Sequence, residues 1–307
     1  MANTLSGANS VNVSNSASFI PEIWSDEIVA AYKKNLVAAN LIKKMNFRGK
    51  KGDTVHIPAP VRGAASAKTA ENAVTLQAGS VSDIACLIDK HYEYSRLIED
   101  IAEVQALTSM RQFYTDDAGY ALAKQVDTDL IRLGRGVNGG AGTAAYANAY
   151  IGGDGTTAYN SGTPNASALT DAAIRRSIQR LDDADVPMDG RFLIVPPSAR
   201  NTLMGIDRYT EQAFVGETGS GNTIRNGEIG NLYGIPVFVS SNADTATGSA
   251  RICMLAHKDF AVLVEQQGIR AQTQYKQEFL GTLFTSDTIY GVKELRDDAC
   301  VVLAVPA

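Results

Sequence analysis

The chain is poor in the residues from which most catalytic and metal sites are built. Its 307 residues include three histidines, three cysteines and one tryptophan. The histidines fall in separate predicted elements without the HxxxH or HExxH spacing of metal ligands. Every cysteine lies in an apolar stretch without a CxxC pattern, as small buried side chains do. These residues are His56, His91, His257, Cys86, Cys253 and Cys300. No metal, cofactor or nucleophilic cysteine is therefore expected.

Long apolar runs are also missing. None approaches the roughly 20 residues of a transmembrane helix, and residues 1–18, rich in Asn, Ser and Ala, lack the basic and apolar regions of a signal peptide. With 45% hydrophobic and 20% charged residues and a net charge of −5, the composition is that of an ordinary globular protein. The sequence predicts a folded, soluble protein of a reducing compartment, without a membrane partner.

Enzyme motifs are incomplete. The string from Gly216 to Thr223 has the glycine spacing of a phosphate loop, but Asn222 stands where the loop requires Lys. No GxSxG surrounds a serine, and the acidic clusters have no predicted cleft in common. These clusters lie at 99–100, 116–117, 182–185 and 297–298. An enzyme assembled from scattered acids and histidines is the weakest alternative, and no catalytic role is expected.

The first half of the chain has two elements that do not form a domain by themselves. Apolar spacing predicts a helix over about 24–43. An edge strand at 54–60 and a longer strand at 81–97 then flank some twenty residues that are almost without large hydrophobic side chains. Two strands with such a connection form an extended hairpin that buries too little surface to be stable alone. We expect another body to stabilise this hairpin.

Regular periodicity begins after the hairpin. Apolar residues at three- and four-residue steps predict one long helix over about 100–135. The segment 134–162 contains nine glycines and is predicted to be a flexible insertion. A helix to about 184, a buried strand at 191–195 and a helix from Ser198 follow. Further strands are expected at 235–239, 250–256, 261–265 and 270–275, with a long terminal pair over 282–305. Helices and strands without βαβ alternation favour the α+β class.

Charge is unevenly distributed. Residues 1–51 carry seven Lys or Arg and three Asp or Glu, a balance of +4, whereas the whole chain is at −5. The pairs Lys33, Lys34 and Lys43, Lys44 account for much of this excess. Such a basic end can contact a polyanion or pair with acidic patches on a neighbouring protein, although a run of this kind is usually a solvated helix face.

Three groups of strings, in their order and spacing, resemble the major capsid (coat) proteins of tailed bacteriophages of the podovirus type. They are FIPEIWS at 19–25 leading to KNLVAANL at 34–41, GNLYGIPVFVS at 230–240, and YGVK at 290–293 with ACVVL at 299–303. The order of elements, from arm and helix through extended hairpin and long helix to a mixed domain and a returning strand, agrees with them. The resemblance covers about residues 19–305.

This resemblance implies the HK-97-like capsid fold. It divides the chain into an N-terminal arm and helix (1–51), an extended loop (52–80), a peripheral domain with the long spine helix (81–135 and 286–307) and an axial domain (136–285). It also implies hexamers and pentamers that form an icosahedral head around a double-stranded DNA genome. The head would be assembled in the host cytoplasm. The alternative within the same fold is a nanocompartment shell that encloses cargo.

The resemblance also assigns roles to particular residues. The extended loop would contact neighbouring subunits through Arg62, Lys68, Glu71 and Asn72, and Lys68 lies where some relatives form crosslinks, although no partner for it is identifiable. Lys33, Lys34, Lys43 and Lys44 would face the interior and contact DNA non-specifically. The short polar arm implies a separate scaffolding protein. A portal and a decoration protein are further expected partners.

Overall fold

The computed structural model describes residues 37–60, 81–101, 110–137, 148–160, 162–206 and 230–307, and the positions 63, 65–68, 70, 71, 73, 74, 76 and 146. Among these residues, no helix is long and apolar enough to cross a membrane. The helices are α1 (Ala38–Leu41), α2 (Met110–Arg132), α3 (Asp171–Asp183) and α4 (Pro197–Met204). The strands are β1 (Lys43–Asn46), β2 (Thr54–Pro60), β3 (Val81–Leu87), β4 (Lys90–Glu99), β5 (Tyr150–Ile151), β6 (Arg191–Val195), β7 (Asn231–Leu232), β8 (Ile235–Val239), β9 (Arg251–His257), β10 (Ala261–Lys276), β11 (Gly281–Glu294) and β12 (Cys300–Val305).

A six-stranded sheet of order β5-β12-β9-β6-β8-β7 holds the larger part of the core. Its central strands β6 and β12 are buried at every position, because both faces are covered. On one face Leu193 and Leu255 pack with the apolar side of α3 and with α4. On the other face Ile194 and Met254 pack against the end of α2. Helix α3 begins at Thr170, whose side chain accepts a hydrogen bond from Ala173 N, as an N-cap should.

The second sheet has four strands in the order β1-β10-β11-β4. Helix α2 lies beside it and buries Ala118, Leu122 and Leu130, which recur at helical spacing. The two strands expected at 261–265 and 270–275 are one strand, β10, with irregular register between Glu265 and Arg270. Bulges of this kind interrupt the alternation of side chains without ending the strand.

The last two long strands, β11 and β12, belong to different sheets. Strands β11 and β12, expected as a pair, do not pair with each other: β11 lies between β10 and β4, and β12 lies between β5 and β9. The segment 286–307 is therefore shared between the two sheets. Strand β10, which falls within the expected axial range 136–285, belongs to the same sheet as β4.

The extended hairpin is present. Strands β2 and β3 pair antiparallel from Thr54 opposite Leu87 to Pro60 opposite Val81, and form a separate two-stranded sheet. The single strand expected over 81–97 is wrong, because β3 ends at Leu87 and β4 begins at Lys90. At this break the Ile88 N–H donates to Asp53 O at 2.7 Å, and the chain passes from the hairpin into the four-stranded sheet.

The glycine-rich segment is partly an ordered element of the core, so the expectation of a flexible insertion is wrong for 148–160. Strand β5 extends the six-stranded sheet by pairing with β12, and Tyr159 is 3% exposed. Gly155 has a φ of +62°, and a Cβ there would lie 2.9 Å from the Cα of Ala173. Glycine at this position therefore permits close packing of the turn on α3. Residues 138–145 lie outside the described residues.

The end of the first predicted helix is corrected, and parts of both long predicted helices lie outside the described residues. The first helix, expected over 24–43, does not include Lys43, which begins β1; residues 24–36 lie outside the described part. The long helix is observed as α2 and a 3₁₀ turn over Leu133–Arg135, while 102–109 are not described. Two mixed sheets, an antiparallel hairpin and helices without βαβ repetition confirm the α+β class.

Candidate assembly surfaces

Among the described residues, the extended hairpin packs on the body of the subunit through a small apolar cluster. There Cys86 packs with Val262 and Val264 of β10, and Val55 and Ile57 are partly buried against them. The opposite face of β3 is exposed, with Leu87 at 56%. The hairpin therefore has one thin apolar contact with its own subunit.

The connection between β2 and β3 is exposed wherever the structure describes it. Lys68 and Glu71 are exposed, and the large apolar side chains of Val74 and Leu76 are 65% and 89% exposed. Arg62 and Asn72 lie outside the described residues.

Lys43 and Lys44 are both exposed on β1, the edge strand that pairs parallel with Val262 and Leu263 of β10. The basic segment continues to Arg48, which forms an ion pair of 2.8 Å with Glu265. Lys33 and Lys34 lie outside the described residues. The structure thus describes half of the predicted basic site, and places that half on the solvent-facing edge of the four-stranded sheet.

A buried polar cluster, which the sequence reasoning did not identify, fixes the start of the described chain to α2. Asp127 is fully buried, and its Oδ1 accepts hydrogen bonds from Val37 N at 3.1 Å and Ala38 N at 2.8 Å. Its Oδ2 accepts a bond of 2.9 Å from Asn242 Nδ2. One carboxylate therefore joins α1, α2 and the loop after β8. The local signal that could have drawn attention to Asp127 is its position within the apolar repeat of the helix, next to Val126.

Two more carboxylates of this region bind tyrosine hydroxyls. Asp129 accepts from the buried Tyr290 at 2.8 Å, and burial followed by this bond raises the pKa of Tyr290. Asp244 accepts from Tyr146 at 2.8 Å and from Arg135 at 2.7 Å. Burial opposes ionisation of Asp244, but these two donors hold its pKa below the ordinary value. These bonds lock the end of α2 between the two sheets.

The histidines and cysteines considered as catalytic or metal-binding residues lie in different parts of the structure. His56 pairs with Asp83 on the hairpin, His91 with Asp287 in the four-stranded sheet, and His257 Nε2 lies 2.8 Å from Asp189 O. In the described part of the chain, no three His, Cys, Asp or Glu side chains could hold a metal ion together. The three cysteines are free and buried, and burial raises the pKa of each thiol. The Gly216–Thr223 string lies outside the described residues.

The described acidic clusters are engaged in separate structural contacts. Asp100 accepts from Tyr275 at 2.7 Å, Asp117 accepts from Tyr94 at 3.0 Å, and Asp182 forms an ion pair with Arg191 at 2.7 Å. Two of the clusters share one cavity, since Asp185 lines it together with Asp297 and Asp298.

A long helix beside a four-stranded sheet, a six-stranded sheet beyond it and a hairpin without a core define a shell-building protein with the HK-97-like capsid fold. A model of a family described as phage capsid protein matches residues 99–303. The chain belongs to this phage capsid protein family.

Solved structures with the same fold include phage capsids. The chain is 26% identical to one from Mycobacterium phage Che8, with a TM-score of 0.73 over 93% of this chain and 97% of that one. It is 16% identical to the capsid of Cyanophage P-SCSP1u, with a TM-score of 0.76 over 99% of each chain. The capsid of Ralstonia phage GP4 is likewise 16% identical, with a TM-score of 0.67 over 94% and 95%.

These findings decide between the alternatives left open by the sequence. The chain is a structural capsid protein that assembles with copies of itself as the major protein of the phage head, and the nanocompartment shell is not favoured. None of the curated proteins searched matches the chain.

Proposed function

We propose that the chain forms hexamers and pentamers of an icosahedral head that encloses double-stranded DNA, and that the β2–β3 hairpin holds neighbouring subunits together. The proposal includes a separate scaffolding protein, a portal and a decoration protein as partners, and assembly in the host cytoplasm. It includes no catalytic role and no cofactor.

The observation that carries this proposal is the hairpin. A two-stranded sheet is marginal in water unless it packs on another body, and the described part of this one packs on its own subunit through a small apolar cluster around Cys86. Val74 and Leu76 expose apolar surface that a second copy can bury at roughly 25 cal/mol per Å². Repeated around a closed ring, each copy would bury the hairpin of the next.

We place the two domains by sheet membership. The peripheral domain would contain the four-stranded sheet and α2, and the axial domain the six-stranded sheet with α3 and α4. Strand β12 then belongs to the axial domain and β10 to the peripheral domain, in contrast to the division at 136–285. A two-domain subunit of this kind presents two separate surfaces to its neighbours.

For the genome, we propose that Lys43 and Lys44 face the interior. Both side chains are exposed, and a packaged duplex is a dense polyanion that attracts such charges without reading sequence. Pairing with acidic surface on a neighbouring subunit is the alternative, and a charge reversal described below separates them. Lys68 is exposed as a crosslinking residue must be, but this exposure identifies no partner for it.

Replacement of Arg62–Gly79 by a short Gly-Ser turn tests the role of the hairpin. We expect a folded subunit with normal far-UV circular dichroism that forms few or no shells in a sucrose gradient, because the apolar loop that contacts the neighbour is gone. Shells at normal yield would refute the proposed contact.

A milder pair of variants removes apolar surface without shortening the chain. Val74→Ser with Leu76→Ser is expected to lower shell yield, whereas Met188→Ser, at a side chain that is 76% exposed on the axial side, is expected to leave it unchanged. An equal loss in both proteins would show that the effect is general solubility and not the hairpin contact.

A further inference from the structure

The long strand β10 contains extra residues where its pairing with β11 becomes irregular. Glu265 pairs with Tyr290 and Arg270 pairs with Asp287, so β10 takes five residue steps where β11 takes three. Extra residues of this kind form bulges, which bend a strand and redirect its side chains. Residues 265–270 are called the β10 bulge below. The bulge begins where the pairing of β10 with β1 ends.

Three consecutive buried side chains of β11, Ser286, Asp287 and Thr288, hold the bulge. Ser286 Oγ donates a hydrogen bond to Arg270 O at 3.0 Å. Thr288 Oγ1 donates to Gln267 O, also at 3.0 Å. The Asp287 carboxylate accepts from the Arg270 guanidinium at 2.7 and 3.0 Å and from Gln267 Nε2 at 3.2 Å. Because each of these buried groups has a partner in the bulge, β11 fixes the shape of the bulge.

The bulge in turn binds the start of the extended hairpin. Gln266 Nε2 donates to Lys50 O at 3.2 Å and to Gly52 O at 3.0 Å. Both carbonyl groups belong to the segment that leads from β1 into β2. At Gly268 a Cβ would lie 2.6 Å from Arg48 Nη2, so the glycine leaves room for the guanidinium group of the same segment. The entry of the hairpin is therefore bound to the bulge.

The exit of the hairpin lies on β11. Gly291 pairs with Val264, directly before the bulge. A Cβ at Gly291 would collide with Leu87 O and would lie 3.2 Å from Ile88 Cα. The end of β3 therefore crosses over Gly291 at a distance that the absence of a side chain permits. The entry and the exit of the hairpin are both fixed to the β10–β11 pair, close to the bulge.

We propose that the β10 bulge sets the direction in which the extended hairpin leaves the subunit, with Gln266 and Gly291 as positioning residues. The apolar cluster around Cys86 holds the hairpin without selecting an angle, because apolar contacts are non-directional. The two hydrogen bonds at the entry are directional, and the backbone contact at the exit has a fixed shape. That this direction matters for shell assembly rests on the function proposed above, whereas the direction itself is a property of the single subunit.

Double electron–electron resonance between two nitroxide labels measures this direction in the free full-length subunit. Ser82→Cys carries one label on the hairpin and Ala172→Cys carries the other on α3, both at exposed positions, while the native cysteines are buried. Ser82 lies five residues from Leu87 at the base of β3, which is roughly 17 Å, so a tilt of about 20° moves it by about 6 Å. The wild-type subunit should give one narrow distance distribution.

Gln266→Glu keeps the size of the side chain but removes its donor, and it sets carboxylate oxygens against the carbonyl groups of Lys50 and Gly52. We expect the distance distribution to shift or broaden by at least about 6 Å, and the yield of shells to fall. Gln274→Glu makes the same change at an exposed position of β10 beyond the bulge. This control should leave the distribution and the yield as in the wild type.

A second pair of variants tests whether the shape of the bulge, as well as Gln266, sets the direction. Thr288→Val cannot donate to Gln267 O and should broaden the distribution as Gln266→Glu does. Thr288→Ser keeps the hydroxyl group and should retain the wild-type distribution. An unchanged distribution in Thr288→Val would refute the role given to the bulge.

An unchanged distribution in Gln266→Glu would overturn the proposal, whatever the yield of shells. If this variant does not fold, Gln266→Met replaces it, because methionine has a similar length and no donor, and the same two outcomes then decide. A changed distribution together with shells at normal yield would support the role of the bulge and would count against the assembly role of the hairpin.

Discussion

Removal of the Asp127 carboxylate should be among the most destabilising single changes in the subunit. In Asp127→Ala, the N–H groups of Val37 and Ala38 and the amide of Asn242 lose their acceptor inside the protein. Each buried donor without a partner costs about 1–3 kcal/mol, and because some can reach a water molecule we expect a total loss of about 3–5 kcal/mol. That is a large share of the roughly 5–15 kcal/mol by which a folded protein is stable.

Urea unfolding of the free subunit, followed by far-UV circular dichroism, measures this loss. Asp127→Asn should cost less than Asp127→Ala, because its amide oxygen still accepts from α1 while its NH₂ group faces the NH₂ of Asn242. Asp183→Ala, at an exposed aspartate that ends α3, serves as the matched control and should stay within about 0.5 kcal/mol of the wild type. An Asp127→Ala subunit within about 1 kcal/mol of the wild type would refute the role given to this cluster.

Reversal of the exposed lysines on β1, Lys43→Glu with Lys44→Glu, should give empty shells at normal yield with reduced and less salt-dependent DNA retention, measured as nucleic acid per shell; failure to form shells would place these lysines at a subunit interface. Gly155→Ala should lower the free energy of unfolding by about 2–4 kcal/mol in urea, because its φ is positive and the new methyl group meets the backbone of Ala173. Gly234→Ala, with a φ of +81° and open space around it, should lose only about 1–2 kcal/mol, so equal losses would contradict the packing argument.

The lysine experiment requires a control for charge alone. Arg175 and Arg176 are exposed on α3, which packs on the six-stranded sheet. Their double reversal changes the net charge by the same amount, and it should leave DNA retention unaltered. A similar loss of DNA in both double variants would show that retention follows the total charge of the subunit.

Local sequence patterns correctly predicted the elements whose own apolar residues are enough to define a strand or a helix. The apolar runs at 191–195 and 235–239 became strands β6 and β8 with the expected bounds, because short apolar segments between turn residues have few other solutions. Helix α2 was likewise evident from its spacing. The hairpin was predicted from the lack of large hydrophobic residues in its connection, because two strands without a core of their own must pack against another body.

Features that depend on distant pairing could not be read in the same way. Strand β12 follows β11 closely in sequence, yet it pairs with β9 and β5, because its fully apolar sequence requires burial on both faces. The turn around Gly155 resembles a linker in composition, and only its contact with α3 shows that glycine is needed for packing. The partners of Asp127 are 89 to 115 residues away in sequence, beyond any local pattern.

The central claim, that copies of this chain build a phage head, is tested most directly by electron microscopy of the purified chain. The account predicts closed shells of uniform diameter, in which three-dimensional reconstruction shows the β2–β3 hairpin of each subunit lying on a neighbouring copy. A population that remains as small soluble particles, or closed shells in which every hairpin contacts only its own subunit, would contradict it.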